Sequence, residues 1–298
     1  MNRQARPVLS ALARRGVQVS IGPFLVRVRS DLTGVRDFLE RFYVDFPMCE
    51  CDDGHFDVTI VAGRGIHRWV RPQATLVLNG ATPFLPLPER YAGPSLEWGL
   101  NWCVGNNAHR YIAVHAAVVE RDGRALILPA PPSSGKSTLC AALVSAGWRL
   151  FSDEFALFDP SSGRVLPIPR PVSLKDASIE IIRRRNPTAV FGPEAEDIEG
   201  CRFVHMRPPP ESVRRAAEAA RVGWMIVPRF VAGRATALEP LPKAHALMHL
   251  AGQSFNYNYL GQRGYTCLAA VIRDAGCYRL EYSDLDDVLA LLDRLTTS

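Results

Sequence analysis

The residues with the clearest chemical potential lie around position 135. There the sequence Gly135-Lys-Ser-Thr138 follows an apolar run and precedes a helix-like run, which is the order of a phosphate-binding loop. In such a loop, backbone N–H groups and the positive end of a helix converge on an anion. The pattern therefore predicts a polyphosphate site formed by Ser133, Ser134, Gly135, Lys136, Ser137 and Thr138.

Three side chains of this loop have distinct expected tasks if the anion is ATP. Lys136 neutralises the β- and γ-phosphates, the Ser137 hydroxyl binds Mg²⁺, and Thr138 reaches the α-phosphate. The match to the consensus is incomplete, because Ala130 stands where the consensus has glycine and Pro131 has no N–H to donate. The alternative is a surface turn with an incidental lysine.

An acidic pair, Asp153-Glu154, interrupts the apolar run 148–159, which predicts a strand. Two carboxylates in mid-strand are costly to bury without a metal ion or a donor. Neighbouring strand residues point to opposite faces, so the two acids are expected to have different tasks. A Mg·ATP site needs a carboxylate ligand, and an accepting hydroxyl needs a base. The alternative is a solvated bulge or an edge strand.

Two basic residues are further candidates. His115 lies in an apolar strand at 111–119, where a lone histidine is most often a core residue with its hydrogen bonds satisfied. Arg170 lies between prolines in an extended segment that continues to Lys175. We expect Arg170 and Lys175 to clamp phosphate charge or the acceptor, or else to belong to a surface loop.

The elements that must position these residues form two predicted domains. Residues 1–93 read as an N-terminal α+β module, and residues 94–298 as a nucleotide-binding α/β domain with a strand at 125–128 and a helix from Leu139. A helix at 96–103 is expected to brace the sheet of the second domain. Trp69, between Arg68 and Arg71, is assigned to strand packing.

Composition narrows the class of protein. The 298 residues are 47% hydrophobic and 22% charged, the balance of a soluble globular protein. A net charge of +5 is weak support for nucleic-acid binding, and an anionic ligand explains it equally well. No apolar run approaches the ~18 residues of a membrane helix. We therefore expect a cytoplasmic protein that binds neither nucleic acid nor membrane.

Taken together, these motifs resemble the HPr serine kinase superfamily, and within it the branch called HprK-related kinase A. The resemblance rests on His115, the loop ending in Thr138, Gly147-Trp-Arg-Leu150 and Ser152-Asp-Glu154, with Lys136 standing 21 positions after His115. Similarity to the branch extends to the segments 96–103, 170–175 and 254–257.

The resemblance implies an α/β fold, with a P-loop kinase domain of the HPr kinase and phosphoenolpyruvate carboxykinase type beside a smaller N-terminal α+β module. It implies ATP and Mg²⁺ as cofactors, and transfer of the γ-phosphoryl group to a serine or threonine hydroxyl of a peptide or small protein. A PqqD-like carrier is one expected partner. Because the HPr kinases form oligomers, a homo-oligomer is also considered.

The resemblance also implies roles for individual residues. One acid of Asp153 and Glu154 is the base and the other a metal ligand, Ser137 binds Mg²⁺, and His115 orients a carboxylate or the γ-phosphate. Our hypothesis takes Asp153 as the base and Glu154 as the metal ligand, and leaves Asp153 as a further candidate ligand. The HPr kinases have two aspartates where this chain has Asp153-Glu154, so HPr itself is not implied as acceptor. A nucleotide-binding scaffold of a peptide-maturation complex without transfer activity, and a small-molecule kinase, remain the alternatives. A transport-type ATPase is disfavoured, because no transport-type signature follows the loop.

Overall fold

The structure is a computed structural model that describes residues 9–51, 53–131, 134–197 and 200–297. These residues form a mixed α/β fold with three sheets. The described residues fall into two compact units that divide between Asn107 and Ala108, and not after residue 93. Among the described residues, no helix combines the length and the apolar character that crossing a membrane requires.

In the first unit, the described residues form a six-stranded sheet that packs with the helices named below. Its strand order is β3-β1-β2-β4-β5-β6, and the β2–β4 pair is parallel while the other neighbours are antiparallel. The elements are β1 (Val17–Ile21), β2 (Phe24–Ser30), α1 (Thr33–Phe42), β3 (Met48–Cys49), β4 (Phe56–Ala62), β5 (Gln73–Leu78), β6 (Leu87–Pro88) and α2 (Ala92–Asn107).

Helix α2 contains the segment that was predicted to brace the second sheet, and this prediction is wrong. It packs on α1, β4 and β5 of its own unit. Gly99 allows the close approach, because a Cβ there would lie 3.0 Å from Leu78 Cδ2. Glu97 is buried and accepts a hydrogen bond of 2.5 Å from the Tyr43 hydroxyl. The helix therefore belongs to the core of the first unit.

The expectation for Trp69 is also wrong. The residue follows a short 3-10 helix, Gly65–Arg68, in the connection between β4 and β5, and its side chain is 80% exposed. An apolar residue flanked by arginines occurs both in strands and in exposed connections, so the local sequence did not distinguish the two.

The second unit holds the candidate residues. Its elements are β7 (Ile112–Arg121), β8 (Arg124–Pro129), α3 (Lys136–Ser145), β9 (Arg149–Ser152), β10 (Phe155–Phe158), β11 (Val165–Leu166), β12 (Val172–Lys175), α4 (Ala177–Arg185), β13 (Ala195–Glu196), β14 (Arg202–Met206), α5 (Pro210–Arg214), β15 (Arg221–Phe230), β16 (Ala237–Pro240), α6 (Lys243–Gly252), α7 (Tyr257–Asp274), β17 (Gly276–Tyr282) and α8 (Leu285–Thr297).

The main sheet of this unit has the order β11-β10-β7-β8-β15-β17-β16, with β9 also pairing with β7. Strands β8, β15 and β17 are parallel, and β7 and β16 are antiparallel to their neighbours. Helix α3 follows the carboxyl end of β8, inside the parallel part of the sheet. Ligands of open α/β sheets bind at this edge.

Side chains of β7 alternate between two cores. Ala117 and Val119 pack with residues of α3 and α8, whereas Val114 and Val118 pack with residues of α6 and α7. Because strand side chains alternate with a period of two, His115 shares the face of Ala117. This parity turns His115 toward the helix that begins at the phosphate-binding loop.

A second, three-stranded sheet of order β12-β14-β13 lies against α3, which contacts both β12 and α4. The backbone leading into β12 carries Arg170, and β12 itself begins at Val172. The segment predicted to clamp phosphate or acceptor is therefore brought beside α3 by tertiary packing.

Candidate active site

The phosphate-binding loop ends at a glycine that no other residue replaces without strain. Gly135 has φ +87°, and a Cβ there would lie 2.6 Å from the Tyr282 hydroxyl. That hydroxyl lies 3.4 Å from the Gly135 carbonyl oxygen, to which it donates. Gly135 directly precedes α3. The first N–H groups of α3 lack intrahelical partners, as at every helix start. The loop therefore presents a helix N-terminus with the geometry of an anion site.

Lys136, the first residue of α3, is buried, and its Nζ lies 2.6 Å from His115 Nε2. Burial lowers its pKa, and the negative charges of Glu154 and Asp153 oppose that shift only in part. The ammonium group thus lies within electrostatic reach of both acids. A desolvated lysine between two carboxylates and a helix N-terminus is poised to neutralise an incoming anion.

His115 links this lysine to the acidic pair. Its Nε2 lies 2.6 Å from Lys136 Nζ and 3.4 Å from Glu154 Oε2. One ring nitrogen either accepts a hydrogen bond from Lys136 or donates one to Glu154, depending on the tautomer. The alternative reading of His115 as a residue of the apolar core does not describe this position, because its ring nitrogen faces charged groups.

The acidic pair lies in a break between two strands, and not within one continuous strand as predicted. Strands β9 and β10 both pair with β7. Strand β9 ends at Ser152 opposite Val118, and β10 begins at Phe155 opposite His115. The buried hydroxyl oxygen of Ser152 accepts hydrogen bonds from the N–H groups of Glu154 and Phe155, at 3.2 and 2.9 Å. The break, and not strand alternation, therefore sets the directions of the two carboxylates.

Asp153 is almost completely buried, and its Oδ2 accepts a hydrogen bond of 3.0 Å from the Ser173 N–H at β12. Burial and the neighbouring Glu154 charge raise its pKa to about 7, against the opposing effects of Ser173, Arg170 and Lys136. Because Asp153 is buried, it does not belong to the solvated bulge that was considered as an alternative.

Glu154 is more accessible, with a side chain that is 30% exposed. Its burial alone would raise the pKa, but the contact with His115 and the positive charges of Lys136 and Arg170 outweigh burial, so the pKa is lowered. The two neighbouring acids therefore differ in ionisation. At neutral pH Glu154 is an ionised carboxylate, whereas the pKa of Asp153 lies near that pH.

Arg170 is buried beside this pair, and its guanidinium carbon lies 5.8 Å from the centroid of the Phe155 ring. Its charge lowers the pKa of both Asp153 and Glu154. His205, on β14 opposite Ser173, is also buried. Burial and the Arg170 charge lower the pKa of His205 to about 4, so its ring is neutral.

The other candidates divide into three groups. Ser134, Ser137 and Thr138 lie at or beside the start of α3, with Gly135 and Lys136. Ser133 lies outside the described residues. Lys175 lies away from the acids, since its exposed ammonium group pairs with Asp197 at 3.4 Å.

The loop has features that fit a phosphate group. The Ser134 hydroxyl oxygen is buried and has no hydrogen-bond partner within the described part of the chain. The positive φ of Gly135 turns the chain directly into the N-terminus of α3, where N–H groups face the loop. Carboxylate and hydroxyl oxygens, from Glu154, Asp153 and Ser137, are the ligands that Mg²⁺ prefers. The residues present therefore fit a magnesium-bound polyphosphate.

Four contributors escaped prediction. The Ser173 N–H and the Tyr282 hydroxyl act through contacts distant in sequence, which no local pattern marks. The Ser152 hydroxyl accepts from residues two and three positions ahead, a local turn for which a serine is the available signal. His205 lies in an alternating strand that reads as ordinary core. Tertiary pairing of β12 with β14 is what brings His205 and Ser173 to the site.

No protein-family model matches the sequence, and no curated protein matches it. Among solved structures, similarity is found to the structure of the Hpr(Ser) kinase/phosphatase from Coxiella burnetii. The identity is 12% and the TM-score 0.28, over 62% of this chain and 97% of that chain. At this TM-score the likeness carries no conclusion, and the function proposed below is inferred from the geometry of the site.

Proposed function

We propose that the protein is an ATP-dependent kinase that transfers the γ-phosphoryl group to a serine or threonine hydroxyl of a peptide or small protein. One observation carries the proposal: a buried lysine begins a helix after a left-handed glycine, within electrostatic reach of two carboxylates of different ionisation. Phosphoryl transfer requires these parts, because its rate comes mainly from positioning and charge neutralisation.

In the proposed reaction, the acceptor oxygen forms a bond to the γ-phosphorus, the bond between that phosphorus and the β-phosphate oxygen breaks, and ADP leaves. Asp153 takes the proton of the acceptor hydroxyl. Glu154 and Ser137 would hold Mg²⁺, and Asp153 would be a further ligand where its carboxylate is ionised. When bound, the ion neutralises charge on the β- and γ-phosphates.

The remaining basic groups bind the phosphates and orient the acidic pair. Lys136 leaves His115 and moves onto the phosphates, which frees His115 Nε2 to donate a hydrogen bond to Glu154. Arg170, buried beside both carboxylates, balances their charge and keeps the acidic pair in place. The acceptor hydroxyl has to reach Asp153, and we place its approach past Glu154, the more accessible of the two acids. A small carrier protein of the PqqD-like class is the proposed natural partner.

The test is transfer of label from [γ-³²P]ATP to a pool of serine- and threonine-containing peptides. Asp153→Asn should keep ATP affinity but reduce transfer by about 10²- to 10⁴-fold, the usual contribution of a base. Lys136→Ala should weaken ATP binding itself. Lys175→Ala, which removes an exposed lysine paired with Asp197, is the matched control and should change neither.

Two results would redirect the proposal. Unchanged ATP affinity in Lys136→Ala would remove the phosphate site. ATP binding without label on any peptide would favour either a nucleotide-binding scaffold of a peptide-maturation complex or a small-molecule kinase, and transfer to small alcohols separates these two.

A further inference from the structure

An exposed aromatic side chain stands beside the acidic pair and has no role in the mechanism above. Phe255 is 52% exposed, and its ring lies edge-on to His115 at 6.3 Å and against Phe155 at 5.2 Å, measured between centroids. The His115 N–H donates to the carbonyl oxygen of Gln253 at 2.8 Å. The segment 253–256 thus lies along the part of β7 that carries His115.

This segment is fixed by hydrogen bonds of backbone and side chains. Phe255 N–H and the Ser254 hydroxyl both donate to the carbonyl oxygen of Ala113, at 2.9 and 3.1 Å. The buried Asn256 amide accepts from the Ala113 N–H at 3.1 Å and donates to the carbonyl oxygen of Tyr111 at 2.8 Å. An exposed ring on a fixed backbone offers contact area at little cost in conformational entropy.

The neighbours of Phe255 indicate which ligand it meets. Its ring contacts His115, whose Nε2 lies 3.4 Å from Glu154, so Phe255 borders the acids that receive the acceptor. Phe230, which is also half-exposed, lies beside Gly135 at the end of the phosphate-binding loop. Its backbone N–H donates to the carbonyl oxygen of Ser134 at 3.3 Å. An adenine base extends away from the transferred phosphate, whereas the acceptor approaches it. The position of Phe255 therefore favours the acceptor.

We propose that Phe255 binds the phosphate acceptor, and that the acceptor carries an apolar or aromatic side chain next to the hydroxyl that is phosphorylated. The inference rests on the proposed kinase function. A half-exposed ring backed by two other rings stabilises a packed apolar partner by removing its surface from water. Such anchors give interfaces much of their binding energy.

The probe is an array of synthetic peptides with one serine, in which each natural residue in turn occupies the positions before and after it. Wild-type protein with [γ-³²P]ATP should label peptides with a large apolar neighbour best. In Phe255→Ala, kcat/KM for those peptides should fall about 10- to 100-fold, mainly through KM. Phe255→Tyr keeps the ring and should retain most of the preference. Tyr259→Ala removes another exposed aromatic ring, one stacked on His109, and should change nothing.

The outcomes separate this inference from the kinase proposal. Labelling that ignores the neighbouring residue, or equal kcat/KM in wild type and Phe255→Ala, would overturn the role of Phe255 and leave the kinase intact. Weaker ATP binding in Phe255→Ala would assign the ring to the nucleotide and overturn it as well. No labelled peptide, with ATP affinity intact, would overturn the peptide-kinase proposal and this inference with it.

Discussion

The two ends of strand β7 both carry buried charge, and they treat it in opposite ways. Near its carboxyl end, Glu120 pairs with Arg149, and both side chains are almost fully buried. The Arg149 guanidinium also donates to the carbonyl oxygens of Arg215 and Glu218, at 2.9 and 3.2 Å. Both buried charges of this pair therefore have an opposite partner and further hydrogen bonds, as buried ion pairs require.

At the amino end, the balance is different. His115 of β7 faces Lys136, while two carboxylates lie side by side in the break between β9 and β10. Burial, and after it the neighbouring Glu154 charge, raise the pKa of Asp153 to about 7. Like charges held close together cost stability, and proteins retain them where chemistry uses them. We infer that the carboxyl end of β7 is built for stability and the amino end for reaction.

Removing one partner of the satisfied pair should have the largest effect on stability. Arg149→Ala leaves Glu120 buried without its counter-ion, which typically costs about 3–5 kcal/mol of unfolding free energy. Urea denaturation at pH 7 measures this. The double variant Glu120→Gln with Arg149→Met removes both charges and should lose much less. A loss below about 1 kcal/mol in Arg149→Ala would contradict the structural role of the pair.

At the amino end of β7, we expect removal of a charge to raise the free energy of unfolding and not to lower it. Asp153 has a raised folded-state pKa, so its contribution is fully present below pH 4 and is lost as the pH rises toward 7. Asn mimics the protonated acid and still accepts from Ser173. Asp153→Asn should therefore stabilise the protein by up to about 4 kcal/mol at pH 8, and little at pH 4.

Thermal unfolding of wild type and Asp153→Asn across this pH range measures the difference. Asp159→Asn is the control, because hydrogen bonds from Ser161 lower the pKa of Asp159, and its substitution should destabilise at neutral pH. A destabilised Asp153→Asn at pH 8 would show that the acidic pair is as well compensated as Glu120 and Arg149, and the contrast between the two ends would disappear.

The sequence was sufficient to predict the elements that deliver the lysine. The apolar run at 125–128 and the Gly135-Lys-Ser motif correspond to β8 and the start of α3. These features are local, since a buried strand and a glycine-bounded helix start leave their marks on adjacent residues. The direction of the His115 side chain also follows from a local rule. Alternation along β7 places it on the same face of the sheet as Ala117, and α3 packs on that face.

The break at the acidic pair was only partly accessible to local reasoning. The turn closed by the Ser152 hydroxyl is local, but the end of β9 at Ser152 and the start of β10 at Phe155 are set by pairing with residues of β7 more than 30 positions earlier. Ser173 and His205 reach the site through the pairing of β12 with β14. A sequence pattern reports the period of side chains along one strand, but not the partner strand that interrupts it.

The buried neutral histidine at the reactive end gives a smaller, pH-dependent effect. The folded-state pKa of His205 is about 4 against 6.5 for the free side chain, so its contribution is present above pH 6.5 and is lost as the pH falls toward 4. This loss is about 3 kcal/mol. His205→Gln should flatten the dependence of unfolding free energy on pH in this range. His245→Gln, at an exposed histidine, should leave it as steep as in wild type. An unchanged slope in His205→Gln would mean that other groups carry the acid sensitivity.

The smallest expected effect is at Ser152, and it tests whether the strand break serves the chemistry. Ser152→Ala leaves the N–H groups of Glu154 and Phe155 without their acceptor and should cost about 1–2 kcal/mol of unfolding free energy. Ser161→Ala, on the surface, should cost less. Because the Ser152 hydroxyl fixes the backbone of Glu154, phosphoryl transfer should fall by more than tenfold even where Ser152→Ala remains fully folded. Wild-type transfer in a destabilised Ser152→Ala would assign the hydroxyl to folding alone, and the acids would then be held by His115, Ser173 and Arg170.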